Sequence, residues 1–169
     1  MPVTTLPPGE SPTLVVKRII VHTTPFRPRI LLIEDDAGRI QRVGDWLLGT
    51  EFVLVAARSG GQAMGVLRRG AEGVAGLMLD HDLSNSALTV GDGQLSGTDL
   101  LPLIQRVLPR CVPVMIHSHS ISKPPVMQRV LEQAGFSITR TRFHVLEEEP
   151  LRFAAWLDDV RDAWELQQP

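Results

Sequence analysis

Three apolar runs in this sequence stop at residues able to do chemistry. Ile30–Ile33 runs into Glu34, Asp35 and Asp36, Leu77–Leu79 into Asp80, His81 and Asp82, and Val114–Ile116 into His117, Ser118, His119 and Ser120. If these ends meet, their carboxylates crowd one another. Two like charges ~4 Å apart repel by about 4 kcal/mol at an effective dielectric of ~20, so such a group must keep a proton or hold a cation. Dense oxygen donors suit a hard divalent ion, Mg2+ by default, which binds one or two carboxylates and keeps waters that a phosphate oxygen can replace. The imidazoles keep Mn2+ or another transition ion in view. Each end also has a plainer reading: Asp36 suits a helix N-cap, His117 a satisfied strand-end histidine, and Ser120 or Ser122 a cap for the helix near Pro124.

The elements that must position these ends alternate along the chain. RILLIEDD (29–36) reads as a buried strand, and AGRIQRVGDWLLG (37–49) as a helix with Ile40, Val43, Trp46 and Leu47 at helical spacing and Gly49 as its stop. EFVLVAA (51–57), GVAGLML (73–79), CVPVMI (111–116) and FSITRTRFHV (136–145) read as four further strands. Between and after them lie helices at 59–70, with Ser59 as cap, at 96–108, at 124–135, and at 150–167, where Phe153, Leu157, Val160 and Trp164 share a face. Strands that are apolar along their whole length belong to a parallel sheet covered on both faces. Right-handed crossovers then favour a five-stranded doubly wound α/β sheet of order 2-1-3-4-5. In that order strands one, three and four are neighbours, and their C-terminal ends share the edge where such sheets bind ligands.

Composition bounds the rest. The 169 residues, 43% hydrophobic and 21% charged, suit one domain, expected at 29–167 after an extension at 1–28 that includes a further strand at 13–23. A net charge of −2 gives no electrostatic footprint for bulk nucleic-acid or anionic-membrane binding, so any phosphate contact must be local. The single cysteine, Cys111, excludes an intrachain disulfide and reads as a half-buried hydrophobe. No apolar run approaches the ~20 residues of a membrane helix, and the N-terminus lacks a basic head and apolar core, so a cytoplasmic protein is expected.

The strings ILLIEDD, LMLDHDL and VPVMIHS resemble the receiver (CheY-like) domains of two-component response regulators over residues 29 to 167. The resemblance implies that Asp35 and Asp36 hold Mg2+ and that Asp80 accepts a phosphoryl group. Asp82 would add its carbonyl to the metal, and Ser118 would bond the phosphoryl group. The family's lysine at the end of strand five is missing. Arg140 and Arg142, two apart and so on one side of a strand, are its candidate replacements, whereas Lys123 follows strand four and reads as coincidence. A guanidinium can pair with phosphate, with a different fork geometry.

A narrower resemblance includes the histidines. EDDAGR, LDHDL, SGTDLL and PVMIHSHS together look like the cyclic-phosphate-processing receiver family, although Ser120 stands where that family has asparagine and the insert at 84–95 is long. It implies metal-dependent hydrolysis of a cyclic phosphate, with an RNA end as one such substrate. Asp80, His81 and His117 would be catalytic, with His81 and His117 as base and acid, and Arg39 would be an anion contact. The alternatives are a phosphoacceptor regulator served by a histidine kinase or another phosphodonor, and a degenerate receiver used as an interaction module. LEEEP (146–150) reads as a solvated approach to the last helix, and the three tryptophans as core or a homodimer face.

Overall fold

The computed structural model describes residues 27–83, 90–118 and 123–167. The expected extra strand at 13–23, His119, Ser120 and the first part of the 84–95 insert lie outside these residues. Five strands, β1 (Arg29–Ile33), β2 (Val53–Ala57), β3 (Val74–Leu79), β4 (Val114–His117) and β5 (Ile138–Thr141), form one parallel sheet of order β2-β1-β3-β4-β5. This is the doubly wound topology that the alternating pattern predicts.

Successive side chains of a strand point to opposite faces, so a sheet covered on both sides needs apolar residues at every position. Leu31, Ile33, Leu77, Leu79, Val114 and Ile116 pack on one face against α2 (Gly60–Arg68), α4 (Gly97–Val107) and α5 (Lys123–Gln133). Ile30, Leu32, Ala75, Met78 and Met115 pack on the other face against α1 (Ala37–Trp46), α6 (Phe143–Glu148) and α7 (Pro150–Glu165). The face of α7 expected from its spacing is the buried one: Phe153, Leu157 and Val160 are in this second core, and Trp164 packs against it. Among the tryptophans, Trp156 is fully buried there and Trp46 is partly buried.

Two expectations are corrected. Strand five stops at Thr141, and Phe143–Glu148 is helical, because Phe143 and Leu146, three apart, bury against α1 and α7 only on a helical repeat. Strand four starts at Val114, so Cys111 sits in a turn and is exposed rather than half-buried. Part of the insert forms a short helix, α3 (Val90–Gly93), which docks Asp92 onto the Gly61 N–H at 2.6 Å.

Register delivers the polar ends to one level. Ile33 pairs with Leu79, and Leu79 with Ile116, so Glu34, Asp80 and His117 each follow by one residue along the same rim. The Asp80 N–H donates to the Ile33 carbonyl at 3.0 Å and the Glu34 N–H to the Ala57 carbonyl at 3.0 Å, which extends the ladder past the strand ends.

Candidate metal and phosphoacceptor site

At that rim Glu34, Asp35 and Asp80 each offer a carboxylate oxygen, and the three atoms lie within 4.8 Å of one another. All three residues are buried, at 0%, 4% and 3% exposure. Burial penalises the charged form, so the Glu34 carboxyl is pushed up to about 7, first by desolvation and then by the Asp80 charge. The same desolvation lifts Asp80 to about 6, against the pull of the His81 and Asp82 N–H groups, the Ser118 hydroxyl and Arg39. Glu34 and Asp80 therefore bind a proton more tightly than an exposed carboxylate does. Three buried oxygen donors in such reach are a donor set for a hard divalent ion.

Asp36 lies outside this trio. It is exposed and caps α1, with its Oδ1 accepting from the Arg39 N–H at 2.9 Å, while its own N–H donates to Glu34 Oε1 at 2.9 Å. The sequence paired Asp35 with Asp36; the structure pairs Asp35 with Glu34. Residue 36 lies past the end of β1 and, as the N-cap of α1, keeps an extended backbone (φ −79°, ψ 116°), which turns its carboxylate onto the helix N-terminus.

Asp80 is held from several sides. Its Oδ1 accepts from the His81 N–H at 2.6 Å and from the Asp82 N–H at 3.4 Å, and the Ser118 hydroxyl donates to the carboxylate. Its Oδ2 faces Arg39, whose guanidinium lies 3.4 Å away and also reaches Glu34 Oε2 at 3.3 Å. Close approach of α4 secures this loop: the Gly97 N–H donates to the His81 carbonyl at 2.8 Å, and a Cβ on Gly97 would lie 2.2 Å from the Asp80 carbonyl oxygen. Only glycine fits there.

The basic group at Asp80 comes from α1 and not from strand five. Arg140 and Arg142 are exposed; Arg140 lines a small cavity with Thr139 and Trp156, and Arg142 occupies the N-cap position of α6. Lys123 opens α5 and is exposed.

The two histidines are separated in character. His117 is fully buried, with Nδ1 3.6 Å from Glu34 Oε2 and its ring edge-on to Phe143 at 5.7 Å. His81 is nearer the surface, and its Nδ1 pairs with the exposed Asp82 carboxylate at 2.8 Å. Phe143 is a site neighbour that the sequence did not single out, since its ring also lies under the Arg39 guanidinium.

No known family model and no curated protein matches the sequence. Solved structures do match. A response regulator receiver domain protein from Clostridium thermocellum superposes with a TM-score of 0.57 at 17% identity, over 83% of this chain and 99% of that one. The bacteriophytochrome response regulator AtBRR gives 0.51 at 20% identity, over 80% and 94%. The chain has the receiver fold. The Mn2+-bound form of response regulator Rcp1 also matches, with a TM-score of 0.51 and 20% identity over 68% of this chain and 80% of that one. On this fold Glu34, Asp35 and Asp80 come together at the rim where β1 and β3 end. No described helix is long and apolar enough to cross a membrane.

Proposed function

We propose that this chain is a phosphoacceptor receiver whose Glu34, Asp35 and Asp80 hold a divalent cation, Mg2+ or Mn2+, and whose Asp80 accepts the phosphoryl group. The observation that carries this reading is the convergence on Asp80 of two buried carboxylates, a hydroxyl and a guanidinium. The donor set fits the ion: all three ligand side chains are carboxylates, and their burial raises the cost of leaving them without a counter-charge. The carbonyl of Asp82 is the further oxygen this assignment uses. When bound, the cation neutralises the cluster and the negative charge of the transferring group.

The residues divide the remaining work. The His81 and Asp82 amides fix Asp80 Oδ1, which leaves Oδ2 on the side of Arg39. An Asp80 carboxylate oxygen attacks phosphorus, the bond from phosphorus to the donor's leaving group breaks, and that group departs with the electron pair. With acetyl phosphate the leaving group is acetate; with a histidine kinase it is the imidazole of a phosphohistidine. Ser118 and Arg39 then supply hydrogen bonds to phosphoryl oxygens.

Cyclic-phosphate hydrolysis at an RNA end is the weaker reading. It needs His81 and His117 as an acid and base in contact with substrate, and His117 has no exposed surface and lies beneath Glu34 and Phe143.

The test is incubation with acetyl phosphate, with and without Mg2+, followed by mass analysis of the intact chain and its peptides. One base-labile phosphoryl group on Asp80, dependent on the cation, absent in Asp80→Asn and kept in His81→Ala, supports the proposal. No labelling together with turnover of a cyclic nucleotide that requires His81 contradicts it.

A further inference from the structure

Arg39 is a long side chain on the first turn of α1, yet its guanidinium is only 20% exposed and sits between two carboxylates and an aromatic face. Its Cζ lies 5.4 Å from the centroid of the Phe143 ring, within the range of a cation–π contact. The ring is itself fixed. Phe143 is 2% exposed, stacks on Trp46 at 5.5 Å and 20°, and meets the His117 ring edge-on at 5.7 Å. Trp46 is backed in turn by Phe153 at 4.9 Å. One turn further along α1, Arg42 pairs with Glu147 of α6 at 3.1 Å, so the two helices that carry guanidinium and ring are tied together.

We infer that Phe143 is a positioning residue that seats Arg39 beside Asp80 for the phosphoryl group. This rests on the phosphoacceptor reading above. The two kinds of contact that hold Arg39 respond differently to a cation. Glu34 and Asp80 attract the guanidinium while they carry uncompensated charge, and a divalent ion bound to the same carboxylates weakens that attraction. The quadrupole of the Phe143 face is untouched by the ion. Once the cation is bound, the ring is the contact that keeps Arg39 from swinging into solvent. The guanidinium then meets the incoming phosphoryl oxygens already oriented, which spares the ordering of a flexible chain at the moment of transfer.

The experiment is a double-mutant cycle on the full chain, reading the rate of Asp80 labelling by acetyl phosphate at saturating Mg2+. Phe143→Leu slows labelling by roughly 2- to 30-fold, the range a cation–π contact spans, while Phe143→Tyr restores it. In an Arg39→Ala background, Phe143→Leu adds nothing. Equal slowing by Leu and Tyr, full slowing without Arg39, or no slowing at all overturns the inference. If the wild-type chain is not labelled, the phosphoacceptor reading fails on its own account, and the seat is then judged by the proton shifts of the Arg39 side chain. A ring-current displacement that persists in saturating Mg2+ and vanishes in Phe143→Leu supports it, and its absence overturns it.

Discussion

Replacing Glu34 by Gln should stabilise the cation-free protein at neutral pH and remove the stabilisation that Mg2+ gives. The carboxyl titrates near 4.5 when unfolded and at about 7 in the fold. A carboxyl whose folded pKa is raised holds its proton more tightly in the native state, so its contribution is most favourable below pH 4.5 and is lost as pH climbs to about 7. At about 1.4 kcal/mol per unit, that interval is worth on the order of 3 kcal/mol. Asp80 moves the same way, from 3.8 to about 6. The two share one repulsion, so their costs do not simply add. Glutamine mimics the protonated acid. In chelator, wild type and Glu34→Gln should melt together near pH 4.5, and by about pH 8 the variant should melt higher by roughly 6–12 °C, taking ~2–4 °C per kcal/mol for a chain of this size. Mg2+ at ~100 times its dissociation constant should return about 2.7 kcal/mol to the wild type and little to the variant. Calorimetry across this pH range, with and without Mg2+, checks both halves. A variant less stable than wild type at pH 8 in chelator, or an equal response of the two proteins to Mg2+, refutes the reasoning.

Three further outcomes follow from the geometry. Asp36→Ala removes the α1 cap and should cost about 1 kcal/mol of stability in thermal melts, with cation affinity kept, which separates the cap from the ligands. Arg39→Ala takes a charge-assisted contact from Asp80 and should slow labelling by acetyl phosphate roughly 10- to 100-fold, whereas Arg140→Ala and Arg142→Ala should label at the wild-type rate. Gly97→Ala places a Cβ 2.2 Å from the Asp80 carbonyl oxygen, and the forced shift of the loop should cost roughly 1–3 kcal/mol and lower both melting temperature and labelling rate.

The sheet was legible because burial on two faces writes itself into the sequence as uninterrupted apolar runs, and the runs at Ile30, Val53, Val74 and Val114 have that form, whereas the edge strand at Ile138 reads ITRT and is partly exposed. Parallel order then followed from chirality, and it placed Asp80 and Ser118 at the same rim. The finer assignments depended on geometry that adjacent letters do not carry. Glu34, Asp35 and Asp36 are chemically alike; which two face the pocket is decided by where the strand ends and the helix begins, and the cap on Arg39 N–H consumes Asp36. A carboxylate three residues before a helical N–H was the available signal for excluding it. Arg39 reaches Asp80 because α1 opens directly after β1 and its first turn lies beside the end of β3, a relation between residues 41 apart in the chain. Phe143 was hidden inside the run FSITRTRFHV, which reads as strand on its Ile, Thr and Val residues, although its spacing to Leu146 was already helical.

The most direct test of the account is paramagnetic relaxation by Mn2+ in the amide spectrum of the chain. Substoichiometric Mn2+ should broaden the amides of Glu34, Asp35, Asp80 and their strand-end neighbours first, Mg2+ should compete, and Asp35→Asn should abolish the effect. Saturating Mn2+ that leaves these resonances sharp, or broadens instead the exposed acidic stretch Glu147–Glu149, would contradict a cation site among the three buried carboxylates.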